Sequence, residues 1–589
     1  MVTILSRMED LEQLFGKSLP RDPARLDELL YSVKCELSTT TPISDDTELQ
    51  LENKDTNRPD TWSTEGIARA LRGYQGLEGG IKKYTARKVA VHIAVDRELA
   101  NIRPFICCSV VRNLTINDDI IRGLVQLQEK LDQTYGRNRR RSSIGLYDFD
   151  LITPPLRYGV AELDEVKFVP LEWTEPLSLR EILERHPKGI EYGHILKQFS
   201  KMPIILDSKG KVLSFPPIIN SNDLGRITPD TKNILIEITG TSQNTVSSAL
   251  TILTTCLADR GGEICSASIH YPYGKNRRVT TPNLSERIVK IRPEDVRNLI
   301  GLNLTTVDIV RFLKRARFDV KSASNSLLLV RVPCYRLDIM HPVDIMEDIA
   351  IAYGLNNFQP QWPAEQTLGG ISPLEKFSDT VRELMIGLAF QEVLGFVMSN
   401  PDKLYTKMNR PISRPVEIAN PKVTTMTCLR SWLLPTLMEI LSNNTHVEYP
   451  QKLFEVGDYV EWDENRPTKT RDVRELACVI AHSKANFTEM KANIEPLMTN
   501  LGFTFTVKPI EHPSFLTGRV GSIQIRGEEV GIIGEVAPQV IENWKLQNPV
   551  GAMELELDKL FNAFERHQSL PTSERANRVG RCPSVKFAC

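Results

Sequence analysis

This sequence has no long hydrophobic run, no CxxC cysteine pair and no excess of charge of either sign. Its most apolar helical candidate, residues 246–258, is interrupted by Ser and Thr and is shorter than the roughly 20 residues that a membrane-spanning helix needs. The first residues, MVTILSRMEDLEQLFGK, lack the apolar core of a signal peptide. The ten scattered cysteines fit neither a zinc ribbon nor a disulfide framework. We therefore expect a cytoplasmic protein without membrane contact.

The composition is that of an ordinary globular protein, with 41% hydrophobic and 25% charged residues. The formal net charge of −1 means that any contact with nucleic acid must be local, since no global positive field exists. A chain of 589 residues is expected to hold several domains. At about 150 residues per domain, the expected number is near four.

Hydrophobic periodicity and breaker residues divide the chain into an α+β multidomain protein. We predict an N-terminal helical α/β domain, a second α/β domain, a small domain that ends in an acidic helix, a domain built on an antiparallel sheet, and a polar tail without periodicity that is expected to be disordered. Their predicted bounds are 1–88, 89–282, 285–358, 362–565 and 566–589.

The acidic helix lies within the segment YRLDIMHPVDIMEDIAIAYG, residues 335–354. Pro342 suits a first helical turn, and the apolar positions 345, 349 and 352 form a packing stripe. Three carboxylates fall at i, i+3 and i+4 on another face, with a fourth six residues upstream: Asp344, Glu347, Asp348 and Asp338. Like charges at this spacing repel, and Mg²⁺ would relieve the repulsion. The alternative is a solvated acidic start of a helix, which the helix dipole favours; both interpretations stay open.

A second charged feature is the run RNRRRSS, which contains Arg137, Arg139, Arg140 and Arg141. Arginine clusters bind nucleic-acid phosphates through the salt-dependent backbone attraction. A solvated loop is the more common role of such a run, so both readings are kept.

The last large domain combines the long helix EKFSDTVRELMIGLAF with antiparallel strands and the residues Arg430 and Glu455. This pattern resembles the core of class II aminoacyl-tRNA synthetases, which hold ATP with one arginine near the second sequence motif and another on a Gly-rich helix. The corresponding GIIGEVAPQV carries no cation. We therefore predict a scaffold that does not form an adenylate itself.

Four stretches together carry a fuller resemblance. They are NRPDTWSTEGIARAL, PPIINSNDLGRITPDTKNILIEITGT, the acidic segment YRLDIMHPVDIMEDIAIAYG, and NPKVTTMTCLRSWLLPTLMEIL with FEVGDYV and GIIGEVAPQV. The sequence is similar to the β subunits of phenylalanyl-tRNA synthetases of the archaeal and eukaryotic type. The resemblance implies an editing-like (B3/B4-type) domain at 89–282, a winged-helix-like B5-type domain at 285–358 and a catalytically inactive class II synthetase-like domain at 362–565.

The resemblance also implies partners and a cofactor. In this family two α and two β subunits assemble, and the α subunit holds the aminoacylation site for phenylalanine and ATP, so no residue of this chain would catalyse aminoacylation. The family motif D-x₅-D-x₂-E-[ED] for Mg²⁺ falls on Asp338, Asp344, Glu347 and Asp348. At the last position of the motif bacterial members more often have Glu. Asp348 keeps the negative charge there, but its side chain is shorter. The nucleic-acid partner that the resemblance implies is tRNA(Phe), and the arginine run is a candidate for contact with it.

The editing module of the family removes tyrosine attached in error to tRNA(Phe). Apolar pockets discriminate against an added hydroxyl by only about 10²-fold, so a second hydrolytic site is useful. By similarity its pocket would be lined by Ile205, Ser214, Glu237 and Thr239, where archaeal members more often have Asp at the position of Glu237. The alternative is that Glu237 and Thr239 are outward residues of the alternating strand ILIEIT. Two other functions stay open: a tRNA-binding assembly scaffold, and a free-standing editing hydrolase.

Overall fold

The computed structural model describes residues 2–38, 43–274, 276–323, 326–363 and 367–568. The chain divides into two compact units, Met1–Trp362 and Pro363–Cys589. The mixed α/β multidomain architecture is confirmed, since both units combine helices with sheets. The finer assignment of domain types and bounds stays a prediction. The last helix continues to Gln568, three residues into the predicted tail, and the rest of that tail lies outside the described residues.

The first segment of unit one folds around a small antiparallel sheet with strand order β1-β3-β2. Helix α3 is buried on almost all sides, and the Ser63 hydroxyl caps it by accepting from the Gly66 amide. A Cβ at Gly66 would lie only 1.7 Å from the Asp60 carbonyl oxygen, so a glycine is required there. The elements are β1 (Val2–Arg7), α1 (Met8–Phe15), α2 (Pro23–Tyr31), β2 (Cys35–Leu37), β3 (Glu48–Asn53) and α3 (Thr64–Tyr74).

The second segment contains a ten-stranded mixed sheet. Its elements are β4 (Arg87–Val95), β5 (Phe105–Arg112), α4 (Asp118–Lys130), β6 (Ser142–Asp148), β7 (Leu156–Ala161), β8 (Lys167–Phe168), β9 (Leu177–Ser178), α5 (Leu179–Arg185), α6 (Pro187–Tyr192), β10 (Met202–Leu206), β11 (Val212–Phe215), β12 (Ile219–Asn220), β13 (Ile234–Gly240), α7 (Gln243–Asp259), β14 (Glu263–His270) and β15 (Arg278–Thr281).

The two edges of this sheet approach each other. The strand order is β12-β11-β10-β7-β4-β14-β5-β13-β6, with β15 added to β14. Although β12 and β6 lie at opposite ends of this order, the Tyr147 hydroxyl on β6 is 3.2 Å from Asn220 Oδ1 on β12. Arg139, just before β6, also donates to the carbonyl oxygens of Pro217 and Ile218 at 3.1 and 2.9 Å. The sheet is therefore curled, and a cavity lies between its edges.

The third segment packs three helices with a three-stranded antiparallel sheet of order β16-β18-β17. Its elements are β16 (Arg287–Ile291), α8 (Pro293–Ile300), α9 (Thr306–Arg315), β17 (Asp319–Ala323), β18 (Leu328–Val332) and α10 (Pro342–Tyr353), the acidic helix. One hydrophobic core runs through all three segments, from Val2 to Ala352. The three segments of unit one are therefore joined by shared packing.

Unit two is built on a seven-stranded sheet of order β19-β22-β23-β27-β26-β25-β24, antiparallel except for the pair β19–β22. The segment EVLGFVMS, residues 392–399, pairs with other strands only near its two ends. The elements are α11 (Pro373–Gly387), β19 (Gln391–Glu392), β20 (Met398–Ser399), α12 (Pro401–Leu404), β21 (Cys428–Leu429), α13 (Leu434–Asn443), β22 (Gln451–Trp462), β23 (Thr470–Ala481), α14 (Phe487–Asn500), β24 (Thr506–Pro509), β25 (Phe515–Ile525), β26 (Glu528–Val536), α15 (Pro538–Asn543), β27 (Val550–Glu556) and α16 (Leu557–Gln568).

Candidate functional sites

A cavity of about 520 Å³ lies between the edges of the curled sheet in unit one. Leu124 and Gln128 of α4 line one side, Asn220 of β12 lines another, and Glu237 and Gly145 complete it. Its lining mixes apolar side chains with polar and charged ones, so it can hold an organic ligand that carries hydrogen-bonding groups. This cavity is therefore the leading candidate for a binding site in unit one.

Glu237 is the acidic group of the cavity. It is buried at the middle of β13, and its Oε2 accepts a hydrogen bond of 2.9 Å from the Tyr147 hydroxyl. Among the residues described, its Oε1 finds no hydrogen-bond partner. Burial raises the pKa of Glu237 to about 7, against the opposing effect of the Tyr147 donor. The site thus holds a buried carboxyl group whose pKa lies near neutral pH and whose Oε1 has no hydrogen-bond partner among the described residues.

Gly145 allows Glu237 to reach the cavity. Glu237 pairs with Gly145 on the neighbouring edge strand β6, so their side-chain positions lie on the same face of the sheet. A Cβ at position 145 would lie 2.8 Å from Glu237 Oε2 and 2.2 Å from the Tyr147 hydroxyl. The bare glycine therefore provides the space that both oxygens occupy.

Thr239 lies two residues further along β13 and is held by a buried arginine. Arg103 donates from Nε to Thr239 Oγ1 at 3.0 Å and from Nη2 to the Ser143 hydroxyl at 3.0 Å. The same guanidinium binds the Thr239 carbonyl oxygen at 2.7 Å. Since Arg103 is only 1% exposed, these bonds fix both hydroxyl groups beside the cavity.

The structure brings the four predicted editing residues into one sheet. Ile205 and Ser214 are directly opposite each other on β10 and β11, and both are buried. Glu237 and Thr239 are 3% and 0% exposed, so the alternative that they point outward to solvent is wrong. Of the four, the cavity lining includes Glu237. Their role in editing stays a prediction.

The predicted arginine cluster is divided. Arg137, Arg140 and Arg141 are exposed. Arg139 instead turns inward, where its Nε lies 3.3 Å from Oδ2 of the buried Asp132 and its guanidinium stacks on Tyr192 at 4.4 Å. Arg139 therefore has structural partners, whereas the other three side chains are exposed, and contact of the four arginines with tRNA stays a prediction.

In the acidic segment, a guanidinium lies between two of the predicted metal ligands. Arg336 binds both oxygens of Asp338, at 2.9 and 2.6 Å, and Oδ2 of Asp348 at 2.5 Å. Asp348 Oδ1 also accepts a hydrogen bond of 3.0 Å from the Tyr74 hydroxyl of α3. Burial would raise the pKa of Asp338, but the charge and hydrogen bonds of Arg336 outweigh it and hold the pKa below its usual range.

The other two carboxylates point elsewhere. Asp344 Oδ2 accepts from the amides of Met340 and His341, both at 2.7 Å, and so caps its own helix. Glu347 is exposed and binds Lys34 at 2.6 Å. The expectation that Asp344, Glu347 and Asp348 share one face is corrected, because Asp348 faces the core.

This arrangement does not fit a four-carboxylate magnesium site. In the parts of the chain that the structure describes, no group of three or more Asp, Glu, His or Cys side chains is placed to hold a metal ion. The positive charge beside Asp338 and Asp348 is supplied by Arg336. Magnesium binding at Asp338, Asp344, Glu347 and Asp348 stays a prediction.

One face of the sheet in unit two buries several acids. Arg430 Nη1 binds Glu455 Oε1 at 2.7 Å, and this pair is almost completely buried. Glu554 Oε1 accepts from the amides of Leu433 and Leu434 at 3.1 and 2.6 Å, at the start of α13. The Arg430 guanidinium is therefore held in a structural ion pair, and the scaffold role of this domain stays a prediction.

The buried Glu554 makes the stability of unit two depend on pH. Burial raises its pKa above the ordinary value despite the two amide donors. A raised pKa in the folded state contributes stability that is present below the unfolded pKa and lost as the pH rises through the folded one. We expect Glu554→Gln, which cannot ionise, to raise the melting temperature relative to the unaltered chain more at pH 8 than at pH 5. The exposed Glu464→Gln is the control, and equal shifts at both pH values would contradict the prediction.

Comparisons with known proteins agree with this architecture. Residues 289–355 match the family model described as the tRNA synthetase B5 domain, and residues 359–557 match the phenylalanyl tRNA synthetase beta chain CLM domain. The chain is 43% identical to the phenylalanine–tRNA ligase beta subunit of Pyrococcus furiosus, over 94% of this chain and 98% of that protein. It is 40% identical to that of Methanocaldococcus jannaschii, over 85% and 90%.

A solved structure is similar to part of the chain. It is the crystal structure of an N-terminal fragment of the phenylalanyl-tRNA synthetase beta subunit from Pyrococcus horikoshii, with 41% identity and a TM-score of 0.57, covering 60% of this chain and 99% of that fragment. Together with the sheet of unit two, these matches define a subunit of an aminoacyl-tRNA synthetase. Within that class, the chain belongs to the family of phenylalanine–tRNA ligase β subunits. No helix in the described ranges is long and apolar enough to cross a membrane.

Several site residues were not found from the sequence. Tyr147, Arg103 and Arg336 contact the predicted residues, but their partners are often far away along the chain, such as Glu237 for Tyr147 and Thr239 for Arg103. The strand alternation of Ser143, Gly145 and Tyr147 was a usable signal, since it places all three on one face. Which strand lies next to that face is set by the sheet order, which local periodicity does not give.

Proposed function

We propose that this chain supports ATP-dependent charging of tRNA(Phe) with phenylalanine on an α partner in an α2β2 assembly in the cytoplasm, and that its own cavity removes mischarged tyrosine. The observation that carries the hydrolytic role is the cavity bordered by Glu237, with one carboxylate oxygen unpartnered within the described chain. Phenylalanine and ATP would bind to the partner, because Arg430 is occupied by Glu455.

The cavity suits a tyrosyl group better than a phenylalanyl group. A buried acceptor is satisfied by the phenol hydroxyl and left unpaired by a phenyl ring, so it selects the hydroxylated side chain. Water then attacks the ester carbonyl carbon, the bond to the terminal ribose oxygen breaks, and tyrosine leaves while the tRNA hydroxyl regains a proton. The exposed Arg137, Arg140 and Arg141 would hold the tRNA backbone by phosphate contacts.

Exposed apolar side chains in unit two support a partner. Ile386, Leu394, Phe396, Ile412 and Val423 are between 51% and 89% exposed, all within one stretch of the chain. Large exposed apolar side chains of this kind mark surfaces that another protein covers when they form a patch. We propose that the α subunit covers residues of this stretch.

The decisive experiment is coexpression with the α subunit of the same organism. We expect a stable complex that performs phenylalanine-dependent ATP–pyrophosphate exchange and hydrolyses Tyr-tRNA(Phe), with no exchange by this chain alone. Leu394→Asp with Phe396→Asp should weaken assembly, whereas the control Ile190→Asp, at an apolar residue of unit one that is 67% exposed, should not. A chain that stays alone and never stimulates its α partner would remove the proposal. Hydrolysis without a partner would favour the free-standing hydrolase, and charging without hydrolysis would favour the scaffold.

A further inference from the structure

The Tyr147 hydroxyl occupies an unusual position between the two edges of the curled sheet. Tyr147 is completely buried, and its hydroxyl lies 2.9 Å from Glu237 Oε2 and 3.2 Å from Asn220 Oδ1. Both acceptors belong to residues that line the cavity. A phenol has a single proton to donate, so it can serve only one of these acceptors at a time.

The carboxylate is the preferred acceptor. Hydrogen bonds to an ionised oxygen are shorter and about twice as strong as those between neutral groups. The shorter of the two distances is the one to Glu237. Ionised Glu237 is therefore held through Oε2, and the described residues leave its Oε1 unpartnered.

We propose that Tyr147 is a specificity-determining residue of the cavity, because it fixes Glu237 so that Oε1 accepts a hydrogen bond from the phenol of a bound tyrosyl group. This inference rests on the proposed editing function and adds a residue to it. A phenylalanyl ester offers no donor to Oε1, so the buried oxygen would stay unpaired beside the bound ring. Without the Tyr147 hydroxyl the carboxylate can rotate or accept a hydrogen bond from another donor, so discrimination weakens. Tyr147 acts through Glu237 and is thus a positioning residue.

The test uses the assembled α2β2 enzyme with Tyr147→Phe, which deletes one oxygen and keeps the ring. Single-turnover hydrolysis of Tyr-tRNA(Phe) and Phe-tRNA(Phe) is measured across a range of enzyme concentrations. We expect the preference for the tyrosyl ester to fall about tenfold, which is the effect of one lost hydrogen bond of this kind. The enzyme concentration that gives half the maximal rate with Tyr-tRNA(Phe) should rise, while the rate at saturation should change little. The control is Tyr271→Phe, which deletes a buried hydroxyl bonded to the Ile106 backbone in the same core.

A second measurement separates positioning from simple loss of structure. The Tyr147 donor lowers the pKa of Glu237 against the effect of burial, so its removal should move the acid limb of the hydrolysis profile to higher pH. A merely structural role would change the rate at all pH values alike. An unchanged tyrosine preference together with an unchanged acid limb overturns the inference and leaves the editing function standing. If the unaltered enzyme charges phenylalanine but does not hydrolyse Tyr-tRNA(Phe), the editing function fails and the inference fails with it.

Discussion

Replacing Glu237 with alanine is expected to slow hydrolysis of Tyr-tRNA(Phe) by about 100-fold, the order of effect of losing a hydrogen bond to a charged group in a buried site. The substitution removes the acceptor that would pair with the substrate phenol and leaves Tyr147 without its carboxylate partner. Charging with phenylalanine should stay unchanged, because the aminoacylation chemistry is assigned to the partner subunit. The measurement is deacylation of preformed Tyr-tRNA(Phe) by the assembled enzyme.

The control for this prediction is Glu184→Ala, an exposed glutamate of the same domain that does not line the cavity. The pH profile gives a second readout. Because burial raises the pKa of Glu237 to about 7, the ionised acceptor forms as the pH rises through neutrality. Hydrolysis by the unaltered enzyme should therefore increase between pH 6 and 8, and Glu237→Gln should flatten that rise. Equal rates for Glu237→Ala and the control would exclude Glu237 from the reaction.

Replacing Arg336 with methionine is expected to destabilise the acidic segment by about 3–5 kcal/mol, since two carboxylates would be left buried without their counter-charge. Asp338 and Asp348 have side chains only 7% and 6% exposed, so water cannot easily take the place of the guanidinium. Hydrogen exchange of the amides of α10 reports the local change. The matched control is Glu347→Gln on the same helix, which breaks an exposed ion pair with Lys34 and should cost less than about 1 kcal/mol.

The same variant tests the predicted magnesium site. Mg²⁺ could reach Asp338 and Asp348 only if Arg336 left them, because the guanidinium occupies both carboxylates. Magnesium should therefore slow exchange in α10 more strongly in Arg336→Met than in the unaltered chain. Strong protection of the unaltered chain by Mg²⁺, abolished by Asp344→Asn, would instead show that the four carboxylates gather around an ion.

The secondary-structure elements could be predicted from the sequence more fully than the side-chain contacts between them. The helix around Pro342, the strand ILIEIT and the antiparallel strands of unit two follow from local periodicity and appear where expected. Local pattern failed for Glu237 and Thr239, because alternation is not visible in a strand that is buried on both faces. Local pattern was also insufficient for the acidic helix. The spacing of the carboxylates predicts their mutual repulsion, but it does not show that Arg336, two residues from Asp338, compensates their negative charge.

The continuous hydrophobic core from Val2 to Ala352 limits where the chain can be truncated or fused to a related subunit. A truncation inside this range would expose apolar surface on both products, so neither is expected to be expressed as a stable fragment. The two compact units meet in sequence at residues 362 and 363, and each has hydrophobic cores of its own. Gene fusions and exchanges between related subunits are therefore expected to give folded proteins when the junction lies between residues 362 and 363. The first 352 residues should be kept together in such exchanges.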